Sequence, residues 1–305
     1  MTTLLPSRVT IHEVVLRDGI QNEAKLVPLD VKLALAQRLI ESGIKRIEVS
    51  SFVNPRLVPQ MADAEELWRR IPREADVIFS ALVLGKKSLW RAIRCGVPHV
   101  GIFVSASETH SRKNSNRSVA EAVVEALHLI EMAKSHDMKV RAGVMNAFGC
   151  AYEGAVPLEK IARLMGRFMM MDPDEVCLAD TSGMANPLQM QKVVQAVRPT
   201  VKSTPLSLHL HNTRGLGLAN LWEALRQGVT IFDTSMGGLG GCPFIPGAKG
   251  NIATEDTVHL LHEVGIETGI DLARLIGASR TFENFMGKEF PVMISRLQCG
   301  TEFEP

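Results

Sequence analysis

The chain has 305 residues, 46% of them hydrophobic and 22% charged, with a formal net charge of +1. That composition supports a large buried core and excludes a protein drawn as a whole to nucleic acid or to a membrane surface, so an anionic substrate has to be held by local cations. No apolar run approaches the roughly 18 residues of a membrane span, and residues 1–9 lack the apolar core and cleavage site of a signal peptide. Cys95, Cys150, Cys177, Cys242 and Cys299 are scattered, odd in number and free of C-x-x-C spacing. They argue against a disulfide framework and for a reducing, cytoplasmic compartment.

Short β-rich segments alternate with longer helical ones. Strands are expected at 9–15, 46–50, 77–83, 99–105, 139–146, 175–179, 206–211 and 230–236. Helices are expected at 30–42, 60–70, 86–95, 119–136, 158–171, 187–197, 216–227 and 254–264. Asp30 reads as an N-cap, and Gly43, Gly96 and Gly228 stand where helix-ending glycines belong. Strand-then-helix order argues for a parallel sheet, and eight repeats are the number that closes a (β/α)8 TIM barrel. An open doubly wound sheet is the competing fold. With no Pro-rich linker or charge block, a single domain is expected, with the barrel at about 9–269 and a helical extension at about 270–305. Within that extension 271–285 reads as a helix.

In parallel α/β folds the reacting groups gather at the carboxyl ends of the strands. Here those ends carry Arg17-Asp18-Gly19, Glu48 with Ser50 and Ser51, Asp180-Thr181-Ser182-Gly183, His209-Leu210-His211 and a glycine-rich stretch from Gly237 to Asn251. Residues i and i+2 of a strand share a face, so His209 and His211 point the same way. Two neutral imidazoles and a carboxylate such as Asp18 make a divalent metal site. The alternative is a histidine pair hydrogen-bonded within a polar barrel mouth. Arg17 suits either an oxyanion that develops during reaction or an ion pair with Glu48, and the two coexist. The stretch 237–251 reads as a mobile lid carrying Cys242, or as a rigid connection in which that cysteine is only a small apolar residue. It lacks Walker spacing, and Gly215-Leu-Gly217 lacks the third glycine of a dinucleotide fingerprint. The segment 105–118 reads as a loop. Arg112, Lys113, Asn114 and Arg117 there suit the phosphates of a nucleotide-like carrier, or simply face solvent.

These residues together resemble the 3-hydroxy-3-methylglutaryl-CoA lyase family of barrel metallolyases. The resemblance runs from about Val9 to Gly269 and is carried by five stretches. They are Arg17-Asp-Gly-Ile-Gln-Asn-Glu23, Ile47-Glu-Val-Ser-Ser-Phe52, Gly149-Cys-Ala-Tyr-Glu-Gly154, His209-Leu-His211, and Gly238-Leu-Gly-Gly-Cys-Pro243 with Gly250-Asn-Ile-Ala-Thr-Glu-Asp256. It implies metal ligands at Asp18, His209, His211 and Asn251, with Mg2+ or Mn2+ as the cofactor and Co2+ as an option. It implies Arg17 on an enolate oxygen, Glu48 supporting Arg17, His209 or Asp180 as proton carriers, and Cys242 assisting. Arg17, Gln21, Ser51, Tyr152, Thr181 and Arg214 are the implied substrate contacts, and Lys113 and Asn114 the implied coenzyme A contacts, with Lys288 a weaker phosphate partner. An acyl-CoA substrate and a homodimer are expected, with retro-Claisen cleavage to acetyl-CoA and acetoacetate as the reaction. The chain departs from the family's Asp-Thr-aromatic-Gly at Asn212-Thr213-Arg214-Gly215, where the new cation would grip a different carboxylate or pair with a neighbouring acid. Citramalyl-CoA or another 3-hydroxyacyl-CoA is therefore an alternative substrate. A Claisen-type synthase and a non-catalytic acyl-CoA or metal sensor are the alternative functions.

Overall fold

The computed structural model describes residues 5–241 and 250–296. Its strands are β1 (Thr10–Glu13), β2 (Arg46–Ser51), β3 (Ile78–Leu82), β4 (His99–Ser105), β5 (Lys139–Met145), β6 (Glu175–Ala179), β7 (Leu206–His209) and β8 (Ile231–Thr234). All neighbours are parallel, and β1 pairs with β8 through Thr10↔Ile231 to Glu13↔Thr234. That last pairing closes the (β/α)8 barrel and rules out the open sheet.

The intervening helices are α1 (Leu29–Glu41), α2 (Ala64–Arg70), α3 (Lys86–Arg94), α4 (Glu108–Ser115), α5 (Val119–Lys134), α6 (Leu158–Met169), α7 (Pro187–Val201) and α8 (Gly217–Arg226). After β8 come α9 (Thr254–Glu263) and α10 (Leu272–Met286). The apolar core lies between the strands and this helical ring. Ile102, Val104, Val140, Val144, Val176 and Leu208 are fully buried there on the outward faces of their strands.

Three helices hand the chain to the next strand in the same way. Gly43, Gly96 and Gly228 all have φ between 67° and 94°, a conformation only glycine adopts freely. In each, the glycine N–H bonds back three residues, to Ile40, Ile93 or Leu225, and the next N–H bonds back five, to Leu39, Ala92 or Ala224. This is the Schellman closure. It turns the chain directly into β2, the start of β4 and β8.

Other expectations need correcting. Asp30 is not a cap: α1 begins one residue earlier, after Pro28, and Asp30 instead pairs with Arg70 at 3.1 Å. The basic segment 105–118 is not a loop. Ser107 accepts from the His110 N–H, and Asn116 closes the far end in the left-handed conformation, which together define α4. The first strand stops at Glu13, and residues Val15–Gly19 form one wide helical turn with bonds from Gly19 to Val14 and from Ile20 to Val15. The strand expected to contain both histidines ends at His209, and His211 lies beyond it in an isolated bridge with Asn251.

A side chain at Gly96 would meet nothing within 4 Å, whereas one at Gly43 would overlap the carbonyl oxygen of Gly269. Gly96→Ala is therefore expected to cost about 1 kcal/mol of backbone strain. Gly43→Ala should cost roughly 3 kcal/mol or more, because strain and overlap add. Urea unfolding of the two variants measures the difference, and equal losses would contradict this account of the turns.

Candidate active site

The turn after β1 is set by Glu13, which is fully buried. One carboxylate oxygen accepts the Val15 N–H at 2.8 Å and the Met236 N–H at 2.9 Å, and the other accepts the Thr254 hydroxyl at 2.6 Å. One side chain thus ties the turn to the segment after β8 and to α9. Burial pushes its carboxyl up to about 7 despite those donors. The wide turn, a feature often found at functional sites, carries Arg17 and Asp18 together.

Both side chains are buried. Arg17 Nε donates to Glu48 of β2, and its NH1 donates to Asp18 Oδ1 at 2.5 Å. Burial opposes the charge on Arg17, but the two carboxylates outweigh it and raise its pKa further. Glu48 sits where the β2–β3 register shifts between Glu48 and Ser50, and such bulges re-aim side chains beside active sites. Burial likewise opposes ionisation of Asp18, yet Arg17, His209 and His211 hold its carboxyl below the usual range.

Asp18, His209 and His211 each offer a ligand atom within 4.8 Å of the others. The two histidine Nε2 atoms are 3.0 Å apart, and His209 Nε2 is 4.0 Å from Asp18 Oδ2. Burial, then the neighbouring His209, push His211 down to about 3, so its imidazole is neutral. Neutral imidazole is the metal-binding form. Asn251 Nδ2 donates to Asp18 Oδ2 at 2.7 Å, and among the described residues the buried Asn251 Oδ1 and His211 Nδ1 have no partner. Two imidazoles, a carboxylate and an unclaimed amide oxygen fit a divalent cation.

Asp233 on β8 was not among the residues expected from sequence. Its Oδ2 takes His209 Nδ1 at 3.0 Å, and its Oδ1 takes Arg141 NH2 at 2.8 Å and His12 Nδ1 at 3.1 Å. A carboxylate on one ring nitrogen leaves the other as the ligand and fixes the ring's orientation. The sequence signal was an acid at an inward position of β8, recognisable only once β8 is in register with His209.

The remaining candidates divide. Gln21 Nε2 donates to Asp18 Oδ1 at 2.9 Å, Thr181 Oγ1 accepts the Asn146 N–H at 3.1 Å, and Ser51 is buried at the end of β2. Asn146, buried with φ 56°, also accepts from Ser182 at 2.7 Å, and sequence reasoning missed it. Asp180 is buried with both oxygens engaged by the N–H groups of Met184 and Ala185, at 2.8 and 3.1 Å. Burial raises its pKa to about 6. Arg214 NH1 donates to the carbonyls of Ser182 and Gly183 at 2.6 and 2.8 Å, and its charge acts on Asp180, against the burial that raises that carboxyl. Tyr152 lies outside the metal cluster, 37% exposed, with Lys113 of α4 5.2 Å from its ring centre; Asn114 is beside it on α4. Lys288 is bound by Glu23 at 2.6 Å. Cys242, and most of the stretch read as a lid, lie outside the described residues.

Removing the second carboxylate contact of His209 tests this geometry. Asp233→Asn is expected to weaken Mn2+ binding by about 10- to 100-fold. Calorimetric titration checks it, and unchanged affinity would mean that Asp233 serves only the Arg141 network.

Residues 8–282 match the HMGL-like family model. The chain is 40% identical to hydroxymethylglutaryl-CoA lyase YngG of Bacillus subtilis, over 94% of this chain and 96% of that protein. It is 38% identical to the mitochondrial hydroxymethylglutaryl-CoA lyase of Homo sapiens, over 97% and 91%. Among solved structures it superposes on an HMG-CoA lyase from Acinetobacter baumannii in complex with coenzyme A and 3-methylmalate, with TM-score 0.93, 37% identity and 98% of each chain covered. The chain belongs to the HMGL-like family.

Proposed function

We propose that this protein is a carbon–carbon lyase that cleaves 3-hydroxy-3-methylglutaryl-CoA to acetyl-CoA and acetoacetate. The observation that carries the reading is a guanidinium, Arg17, fixed beside the Asp18–His209–His211 donor cluster in a chain of this family. Asp18, His209, His211 and Asn251 would hold the divalent cation, with Mg2+ or Mn2+ suited to their mixed oxygen and nitrogen donors and Co2+ also compatible. When bound, the cation supplies Lewis acidity to the acyl oxygens and acidifies the C3 hydroxyl.

The residues do the rest. A base removes the hydroxyl proton, the C2–C3 bond breaks, its electron pair passes to C2, and C3 becomes the ketone carbon. Arg17, kept protonated and oriented by Glu48 and Asp18, takes the charge that develops on the thioester oxygen. Asp180 carries the proton, since His209, the other candidate, has Nδ1 bonded to Asp233 and Nε2 turned to the cation site, and Cys242 assists its delivery to C2. Asp180, raised to about 6, is suited to exchange a proton near neutrality. Gln21, Ser51 and Thr181 position the acyl group. Lys113, Asn114 and Tyr152 flank the approach of coenzyme A, since α4 follows the carboxyl end of β4. A cytoplasmic homodimer built from a single barrel domain completes the reading; Cys95, Cys150 and Cys177 are free thiols.

A second reading, cleavage of citramalyl-CoA, rests on Arg214. That guanidinium is committed to two backbone carbonyls of the β6–α7 connection, which favours the first reading. In an assay reconstituted with Mg2+ or Mn2+, acetyl-CoA release from 3-hydroxy-3-methylglutaryl-CoA is expected to exceed that from citramalyl-CoA; the reverse order would overturn the substrate assignment. Arg17→Ala should lower kcat by roughly 100-fold or more and leave Mn2+ affinity nearly unchanged. Activity within tenfold of wild type would remove Arg17 from the enolate.

A further inference from the structure

The inward faces of the strands are mostly polar, carrying among others His12, Glu48, Ser80, Arg141 and Asp233. Toward the carboxyl ends of β3, β4 and β5, three large apolar side chains interrupt that lining. Leu82 on β3, Phe103 on β4 and Met145 on β5 are each partly exposed, whereas their chain neighbours Ala81, Val83, Ile102, Val104 and Val144 are fully buried. Strand alternation puts those neighbours against the helices and the three on the inner face. Contacts agree. A side chain built at Gly101 would meet the Phe103 ring at 3.1 Å and both Leu82 and Glu48 Oε1 at 3.7 Å, so these groups share one region. The Arg141 guanidinium, itself bound to Asp233, lies 5.6 Å from the Phe103 ring centre.

In a closed barrel of eight strands, those four apart face each other across the axis. The apolar three on β3, β4 and β5 therefore stand opposite β7, β8 and β1, which supply His209, Asp233 and the turn holding Arg17 and Asp18. One wall of the mouth binds charge, and the other presents Leu82, Phe103 and Met145, with the Arg141 guanidinium of β5 turned to Asp233. The reacting carbon of a 3-hydroxy-3-alkyl acyl group has the same asymmetry. Its hydroxyl and the carbonyl oxygens seek the cation and Arg17, which turns the alkyl substituent toward the far wall. The geometry points to Leu82, Phe103 and Met145 as specificity-determining residues that receive the 3-alkyl group; this rests on the lyase reading above. Gly143 sets the depth of their pocket. The Phe103 ring lies directly on it, in space that any β-carbon there would occupy. A methyl at this position would drive the ring into the mouth, at ordinary strand φ, so without backbone strain.

The test separates alkyl recognition from turnover. Non-cleavable glutaryl-CoA analogues carrying hydrogen, methyl or ethyl at C3 are titrated into the Mn2+-loaded protein, with cleavage of 3-hydroxy-3-methylglutaryl-CoA by wild type measured in parallel. Wild type should bind the methyl analogue best. Met145→Ala should raise the ethyl-to-methyl affinity ratio about tenfold, and Gly143→Ala should lower the methyl-to-hydrogen ratio about tenfold. Mn2+ affinity reports that each variant is folded, and Phe103→Leu replaces Met145→Ala if that variant does not bind Mn2+. Folded variants that keep the wild-type ranking overturn the apolar wall, while cleavage by wild type leaves the lyase reading intact. Shifted rankings without cleavage by wild type support the wall and overturn the reading. Failure of wild type to bind any analogue overturns both.

Discussion

The structure is organised around a cluster of buried charge that the barrel holds out of water. Three guanidinium groups, Arg17, Arg46 and Arg141, face four carboxylates, Asp18, Glu48, Glu175 and Asp233. Burial, opposed but not overcome by Asp233, lowers the pKa of His12, and burial does the same to His211, so neither adds positive charge near neutrality. Counted without His209, the carboxylates exceed the guanidinium groups by one, and the donors gathered at the mouth are Asp18 and the two imidazoles. Unpaired buried charge is costly, and a divalent cation at that place offsets it with one positive charge to spare for an anionic substrate. Electrostatic balance and the proposed chemistry thus ask for the same ion in the same place.

Closure of the sheet is what allows this. Glu13 bonds to β1's own turn, to Met236 and to Thr254, so the first and last units of the barrel share one carboxylate. Glu255 of α9 then takes the Gly237 N–H with both oxygens, at 3.0 and 3.1 Å. Gly237 itself, at φ 75°, lies under Phe290, whose ring a β-carbon would meet at 2.5 Å. The base of the glycine-rich stretch is therefore seated by α9 and by the segment after α10. Asn251, at its other end, reaches Asp18 directly.

Much of this was legible in the residues, and what was not has a common cause. Strand and helix alternation follow local periodicity, and Gly43, Gly96 and Gly228 announce their turns because only glycine takes that φ without strain. His209 and His211 were found by spacing, although their proximity finally depends on the bridge between His211 and Asn251 rather than on one continuous strand. The strand was drawn to residue 15, and the wide turn bearing Arg17 and Asp18 was not foreseen, because its first N–H is claimed by Glu13, a contact only the folded barrel creates. Helix α4 was read as a loop because its eight residues are polar and its signals are caps rather than an apolar stripe. Asp233 requires knowing that β8 pairs with β7 in register with His209, and the apolar wall requires knowing which strands stand opposite one another; no local pattern records either.

The central claim is that the barrel mouth is built for one divalent cation, anchored by Asp18. Calorimetric titration of the metal-free protein with Mn2+, beside Asp18→Asn, tests it most directly. The account predicts one ion per chain in wild type and binding weaker by about 100-fold or more in the variant. Equal affinity in the two proteins, or no saturable binding in wild type, would contradict it.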